Sequence, residues 1–177
     1  MRVICSLVCL MLTAPAVAAG QSFELFGSAG PTISDAGHSV AVGAGLSPHP
    51  RLTLVFTFDR THLESRTTRY PDGFSTFRGG TLYLGAAELR VLPFGRHRVG
   101  PYGLAGLATG FSRPNVTDRF TDRVTNRVGA MFLGGGIHIP VNERITLFAD
   151  GRLMVGGEGV EGIVAVLPIR AGASWRF

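Results

Sequence analysis

The sequence predicts an all-β fold, an eight-stranded antiparallel up-and-down transmembrane β-barrel, and three observations support this prediction. Apolar residues recur with period two in short segments, which sends successive side chains to opposite faces of a strand. Mean hydropathy is positive, at +0.26, yet beyond the N-terminus no apolar run approaches the roughly 20 residues of a spanning helix. Eight such segments alternate with polar connections. Because unpaired edge groups are not tolerated in hydrocarbon, the sheet is expected to close.

Residues 1–19 predict a cleavable signal peptide ahead of a single domain, residues 20–177. Arg2 precedes an apolar run from Val3 to Leu12, and the small residues Ala16–Ala19 follow. The run is too short for a membrane-spanning helix, and this order is typical of a secretory signal. We therefore expect an exported chain.

Cysteine usage and charge narrow the possible partners. Cys5 and Cys9 both lie in the predicted signal, so the exported domain would hold no disulfide and no cysteine metal site. The net charge is +5, and all 17 basic residues are arginine. Export argues against nucleic acid and leaves anionic lipid headgroups as partners, which arginine suits through bidentate phosphate contacts.

Turn signals divide the domain into eight predicted strands of alternating pattern. These are residues 22–30, 38–46, 52–64, 78–92, 99–112, 128–140, 144–156 and 162–177. Connections 47–51, 93–98 and 141–143 are short, and connections 65–77 and 113–127 are long and polar, whereas 31–37 and 157–161 are short as well. Short turns at one end and longer loops at the other are typical of outer-membrane barrels.

The last predicted strand alternates most regularly. Its apolar set is Ile163, Ala165, Leu167, Ile169, Ala171, Ala173, Trp175 and Phe177. Pro168 lies on the opposite face and cannot donate to a strand ladder, so we expect a local bulge there.

Charged residues alternate with apolar sets and are therefore expected in the barrel interior. They are Asp59, Glu88, Arg90, Asp150, Arg152 and Arg170. An eight-stranded barrel is just wide enough for side chains to fill, and buried charges need partners, so these residues predict an ion network. A final hairpin centred near Gly159 or Val160 would place Asp150 opposite Arg170. A polar path for small solutes is the functional alternative.

The stretch from Arg98 to Gly106, the alternating last strand and its terminal aromatic residues resemble the small outer-membrane β-barrel family, which includes the OmpA transmembrane domain and OmpX. The resemblance implies a location in the bacterial outer membrane. It also implies that the barrel-assembly machinery reads the C-terminal strand, through Ile169, Trp175 and Phe177. An aromatic girdle at the membrane interface would account for the same aromatic residues.

The histidines do not predict an enzyme. Some small barrels modify lipid A with a histidine, a serine and an acidic partner. Among the five histidines, only His38 has an adjacent serine, Ser39. Adjacent strand residues point to opposite faces, so these two side chains are not expected to share a site. We expect no catalytic site, cofactor or metal site.

Arginines in the longest loop supply a candidate surface contact. One hypothesis is that Arg113, Arg119, Arg123 and Arg127 contact lipopolysaccharide phosphates or another surface ligand. The alternative is ordinary loop solvation, which the acidic residues Asp118 and Asp122 among them favour. The expected function is structural or interactive, in membrane integrity or surface contact. Open alternatives are a soluble lipocalin-like ligand-binding barrel, a lipid A-modifying barrel enzyme and a narrow solute channel.

Overall fold

A computed structural model describes residues 22–33, 36–71, 73–116, 125–157 and 163–177, without the side chains of 70, 74–77, 163 and 164. The predicted signal peptide lies outside these residues. Eleven strands are described: β1 Ser22–Thr32, β2 Gly37–His49, β3 Leu52–Leu63, β4 Arg66–Tyr70, β5 Gly73–Phe77, β6 Gly80–Val91, β7 Gly100–Pro114, β8 Asn126–Pro140, β9 Ile145–Gly157, β10 Ile163–Val166 and β11 Ile169–Arg176.

The strands close into an antiparallel barrel with eight strand positions around its wall. We call each position a stave, because two of the strands share one of them. Strands β1, β2, β3, β6, β7, β8 and β9 pair in that order, and β10 and β11 together form the eighth stave beside β9. Strand β11 also pairs with β1, from Glu24 opposite Arg176 to Ala29 opposite Ala171. The predicted fold class is thus confirmed. No helix among the described residues is long and apolar enough to cross a membrane.

The ends of the barrel differ in their connections. Short turns join β2 to β3, β6 to β7 and β8 to β9, and we call this the turn end. At the opposite end, the loop end, β3 and β6 are separated by the antiparallel hairpin of β4 and β5. The sequence prediction missed that hairpin and treated residues 65–77 as a polar loop.

Pro168 interrupts the last stave without causing a bulge, so that prediction is wrong. Val166 pairs with Met154 before the proline and Ile169 pairs with Gly151 after it, which leaves the register unchanged. The Pro168 carbonyl still accepts a backbone hydrogen bond from β9 at 3.1 Å. The missing N–H removes one ladder donor, and no residue is inserted.

The outer wall of the barrel is apolar. Leu107, Met131 and Leu133 each expose more than 60% of their surface. Leu133 stands between Ala105 and Leu153 in the register, so the exposed apolar residues form continuous rows across strands. An apolar surface of this extent is the pattern of a wall that faces hydrocarbon.

Interior glycines make room for aromatic rings that are their direct partners on the neighbouring strand. A Cβ added at three of them would lie 2.5 to 2.7 Å from a ring carbon, closer than van der Waals contact permits. The pairs are Gly43 with Phe26, Gly106 with Phe132, and Gly172 with Phe148. Part of the glycine content thus follows from packing large side chains into a narrow barrel.

Candidate functional site: the interior ion network and the outer-wall patch

The structure places all six sequence-predicted charged residues inside the barrel. Each exposes 8% of its surface or less. Glu88 and Arg90 lie two residues apart on β6, as do Asp150 and Arg152 on β9, because residues at that spacing share a strand face. Asp59 comes from β3 and Arg170 from β11.

Arg152 links the carboxylates of two facing strands. Its Nε donates to Asp150 Oδ1 at 2.8 Å and its Nη2 to Oδ2 at 3.0 Å, a bidentate contact. Its Nη1 donates to Glu88. Glu88 also accepts from Arg90 Nε at 2.5 Å. The two carboxylates and the two guanidinium groups therefore form one connected cluster.

Arg170 connects this cluster to β3. The register does place Arg170 opposite Asp150, but its Nε lies 4.0 Å from the Asp150 carboxylate. Its closer partner is Asp59, to which its Nη1 donates. Asp59 also accepts hydrogen bonds from Thr61 at 2.9 Å and Ser39 at 3.1 Å. The carboxylate of Asp59 is thus fully engaged.

Aromatic side chains surround the charged cluster. The Arg90 guanidinium lies 5.0 Å from the ring centre of Phe26 and 5.1 Å from that of Phe148. The Tyr102 hydroxyl donates to Asp150 at 2.8 Å. Three carboxylates face three guanidinium groups, so the six charges sum to zero. A low-dielectric interior requires such a balance of charge. The ion pairs also connect side chains from four staves of the barrel.

We expect the barrel to show no ion conductance above background in planar bilayers. A permeating ion would have to separate buried charge pairs and displace the packed rings of Phe26 and Phe148. Single-channel recording on refolded protein measures this, with a protein-free detergent blank as control. Reproducible unitary currents that scale with the amount of folded protein would contradict it and favour a solute path.

The histidine positions separate His38 from Ser39. Ser39 Oγ points inward and donates to Asp59, whereas the His38 ring lies on the outer wall, 5.4 Å from that of His62. His62 Nδ1 is 3.0 Å from Thr81 Oγ1. Within the described part of the chain, no group of three or more metal-ligating side chains occurs. This geometry offers Ser39 no histidine base.

Basic and aromatic side chains gather on the outer wall near the loop end. The register places Arg60 beside Tyr83, Tyr83 beside Phe111, and Phe111 beside Arg127. The rings of Tyr83 and Phe111 are 5.4 Å apart. Arg113 follows two residues after Phe111, on the same face of β7. We call Arg60, Tyr83, Phe111, Arg113 and Arg127 the outer-wall patch.

The outer-wall patch overlaps only partly with the predicted surface contact. Arg113 and Arg127 were predicted and are exposed; Arg119 and Arg123 lie outside the described residues. Arg60 is exposed as well and was missed. A signal was available, since Arg60 continues the outward-facing alternation of Leu54, Phe56 and Phe58.

The three residues of the predicted assembly signal lie on the outer wall. Trp175 and Phe177 are at the turn end. Ile169, Trp175 and Phe177 are 43%, 45% and 71% exposed. The Phe177 ring lies 5.9 Å from that of Phe23. Aromatic pairs thus mark both ends of the wall, as interfacial girdles do.

Solved structures of low sequence identity share this fold. The chain superposes on a major outer membrane protein of Thermus thermophilus with a TM-score of 0.61 and 16% identity, covering 89% of this chain and 100% of that one. For the N-terminal barrel domain of Pseudomonas aeruginosa OprF the values are 0.60, 13%, 88% and 97%. For Ail of Yersinia pestis, solved with the heparin analogue sucrose octasulfate, they are 0.55, 14%, 90% and 100%.

At these identities the likeness shows the fold alone. No family model matches the sequence, and a search of curated proteins finds no match. The chain has the fold of the small eight-stranded outer-membrane β-barrels, as the sequence resemblance implied.

Proposed function

We propose that this chain is a non-enzymatic protein of the bacterial outer membrane, exported by its signal peptide, that contacts lipopolysaccharide through its outer-wall patch. The observation that carries the proposal is the position of the patch. Three exposed arginines and an aromatic pair lie on the apolar wall near the loop end, where the phosphates of the outer leaflet would meet the barrel.

Physical chemistry favours phosphate as the partner of these arginines. A planar guanidinium group donates two parallel hydrogen bonds to two oxygens of one phosphate. Separate water molecules do not reproduce this geometry. An arginine on a lipid-facing wall costs about 2–4 kcal/mol at the bilayer midplane and about 0–1 near the interface. Arg60 is three residues from the end of β3, and Arg113 is one residue from the end of β7, so both sit where the cost is small.

The interior supports a structural role over transport. Its carboxylates are paired with arginines, and its charges are balanced. The apolar outer wall argues against a soluble lipocalin-like barrel, which would be polar outside. During insertion, the exposed outer-wall side chains Ile169, Trp175 and Phe177 serve as the signal read by the barrel-assembly machinery.

Replacing the patch arginines is expected to weaken lipopolysaccharide binding. In the combined variant Arg60→Gln, Arg113→Gln and Arg127→Gln, we expect at least about a tenfold loss of affinity, equivalent to about 1.4 kcal/mol. Charge-assisted hydrogen bonds to phosphate are removed, while each side chain stays polar and keeps its aliphatic stem. Isothermal titration of purified lipopolysaccharide into the folded barrel at fixed salt concentration measures the change.

A triple variant at the turn end is the matched control. Arg51, Arg98 and Arg144 are all exposed there, and replacing them by glutamine changes the net charge equally. We expect this control to bind like wild type. Equal weakening of lipopolysaccharide binding in both variants would mean that net charge alone attracts the lipid. No weakening in either variant would refute the proposal that the patch contacts lipopolysaccharide.

A further inference from the structure

A cavity occupies the barrel interior between the ion network and the loop end. Its volume is about 310 Å³. Its walls are mainly aliphatic and come from β3, β6, β7, β8, β9 and β10. The side chains that define it include Leu63, Leu84, Val128, Ala130, Met154 and Val166.

The ion network closes the cavity on one side. Met154 is the next inward-facing residue after Arg152 on β9, and Val166 lies two inward-facing positions from Arg170 along the last stave. Interior polarity therefore changes abruptly, from paired charges to hydrocarbon. Water gains little in a cavity with so few polar partners, whereas apolar molecules bind in such spaces.

The mouth of the cavity carries positive charge. Arg78 contributes to its lining, and the described lining contains no carboxylate. Arg78 is held in place, since its Nε donates to the Asn115 carbonyl at 2.8 Å. An apolar interior with a basic rim matches a molecule that has an alkyl chain at one end and an anion at the other.

We propose that this cavity binds the alkyl chain of a single-chain amphiphile with an anionic headgroup, inserted from the loop end. The cavity extends along β6 from Gly80 to Leu84, four residues or about 13 Å of strand, which corresponds to a chain of about ten carbons. A free fatty acid and a monoacyl phospholipid share this chemistry. The inference needs only the barrel fold and is independent of the outer-wall patch.

Native mass spectrometry of the folded barrel with decanoate tests the proposal. We expect wild type to retain one decanoate per barrel with saturable binding. Ala130→Phe places a ring inside the cavity and is expected to weaken binding at least about tenfold. Ala105→Phe makes the same change on the exposed outer wall and is expected to leave binding unchanged. Val128→Phe, nearer the mouth, replaces Ala130→Phe if the latter does not fold.

Headgroup selectivity distinguishes specific binding in the cavity from unspecific binding of alkyl chains. Arg78→Gln is expected to reduce the preference for decanoate over decanol while decanol binding persists. A monoacyl phosphatidylglycerol of the same chain length identifies the source: binding as tight as decanoate indicates a phospholipid, and decanoate binding alone indicates a free fatty acid. Absence of saturable binding in wild type, or equal loss in the Ala130 and Ala105 variants, would overturn the proposal.

Discussion

Replacing Glu88 by glutamine is expected to lower the free energy of unfolding by about 3–5 kcal/mol, the cost of breaking a buried ion pair from one side. Glu88 is 1% exposed and accepts hydrogen bonds from both Arg90 and Arg152. Its neutralisation leaves three guanidinium groups facing two carboxylates in the interior. An uncompensated buried charge of this kind is among the costliest single changes in a protein.

The effect is measured by urea titration of the folded barrel, read from the electrophoretic shift between its folded and unfolded forms. Glu64→Gln is the control, because Glu64 is exposed just beyond β3 and its charge is hydrated. We expect that variant to differ from wild type by less than about 0.5 kcal/mol. A Glu88 variant as stable as the Glu64 variant would show that the charge pairs contribute little.

A double variant distinguishes charge imbalance from lost packing. Adding Arg90→Met to Glu88→Gln restores neutrality, and the methionine chain can still pack between Phe26 and Phe148. We expect the double variant to be more stable than the sum of the two single changes predicts, with a coupling energy of about 0.5–3 kcal/mol. Strict additivity would mean that the cluster is held by shape and not by charge balance.

The sequence was informative about strand faces because burial in a barrel follows a period of two. In β9 the alternation of Phe148, Asp150, Arg152 and Met154 with small or apolar residues predicted their inward orientation. The hairpin midpoint placed Asp150 opposite Arg170 because a hairpin register depends only on local chain geometry. These inferences need no knowledge of the closed structure.

Features that depend on closure were not predictable in the same way. The closer partner of Arg170 is Asp59, which is 111 residues away in sequence; only the curvature of the closed sheet brings the two together. The cavity beside Met154 depends on the summed volumes of residues from six strands. A bulge was expected at Pro168 because proline lacks the N–H that a strand ladder needs. The pairing continues on both sides of the proline, however, and preserves the register.

Replacing Leu133 by arginine is expected to cost about 2–4 kcal/mol in folding into a bilayer, since Leu133 is at the middle of β8 and would carry the charge to the bilayer midplane. The residue is 68% exposed, so little protein packing is lost. Refolding into phospholipid vesicles under a urea gradient measures the cost, and the heat-dependent electrophoretic shift reports the folded fraction.

The paired control is Val99→Arg, at the turn end. Val99 is 62% exposed, almost as much as Leu133, but it lies where an arginine can reach headgroups and water, so its expected cost is about 0–1 kcal/mol. The difference in cost between these two similarly exposed positions therefore measures how deeply each lies in hydrocarbon. In a barrel surrounded by water, both substitutions would exchange an exposed apolar side chain for a hydrated one at no cost. Equal, small effects would favour the soluble lipocalin-like alternative, and a cost confined to Leu133 requires that lipid surround the outer wall.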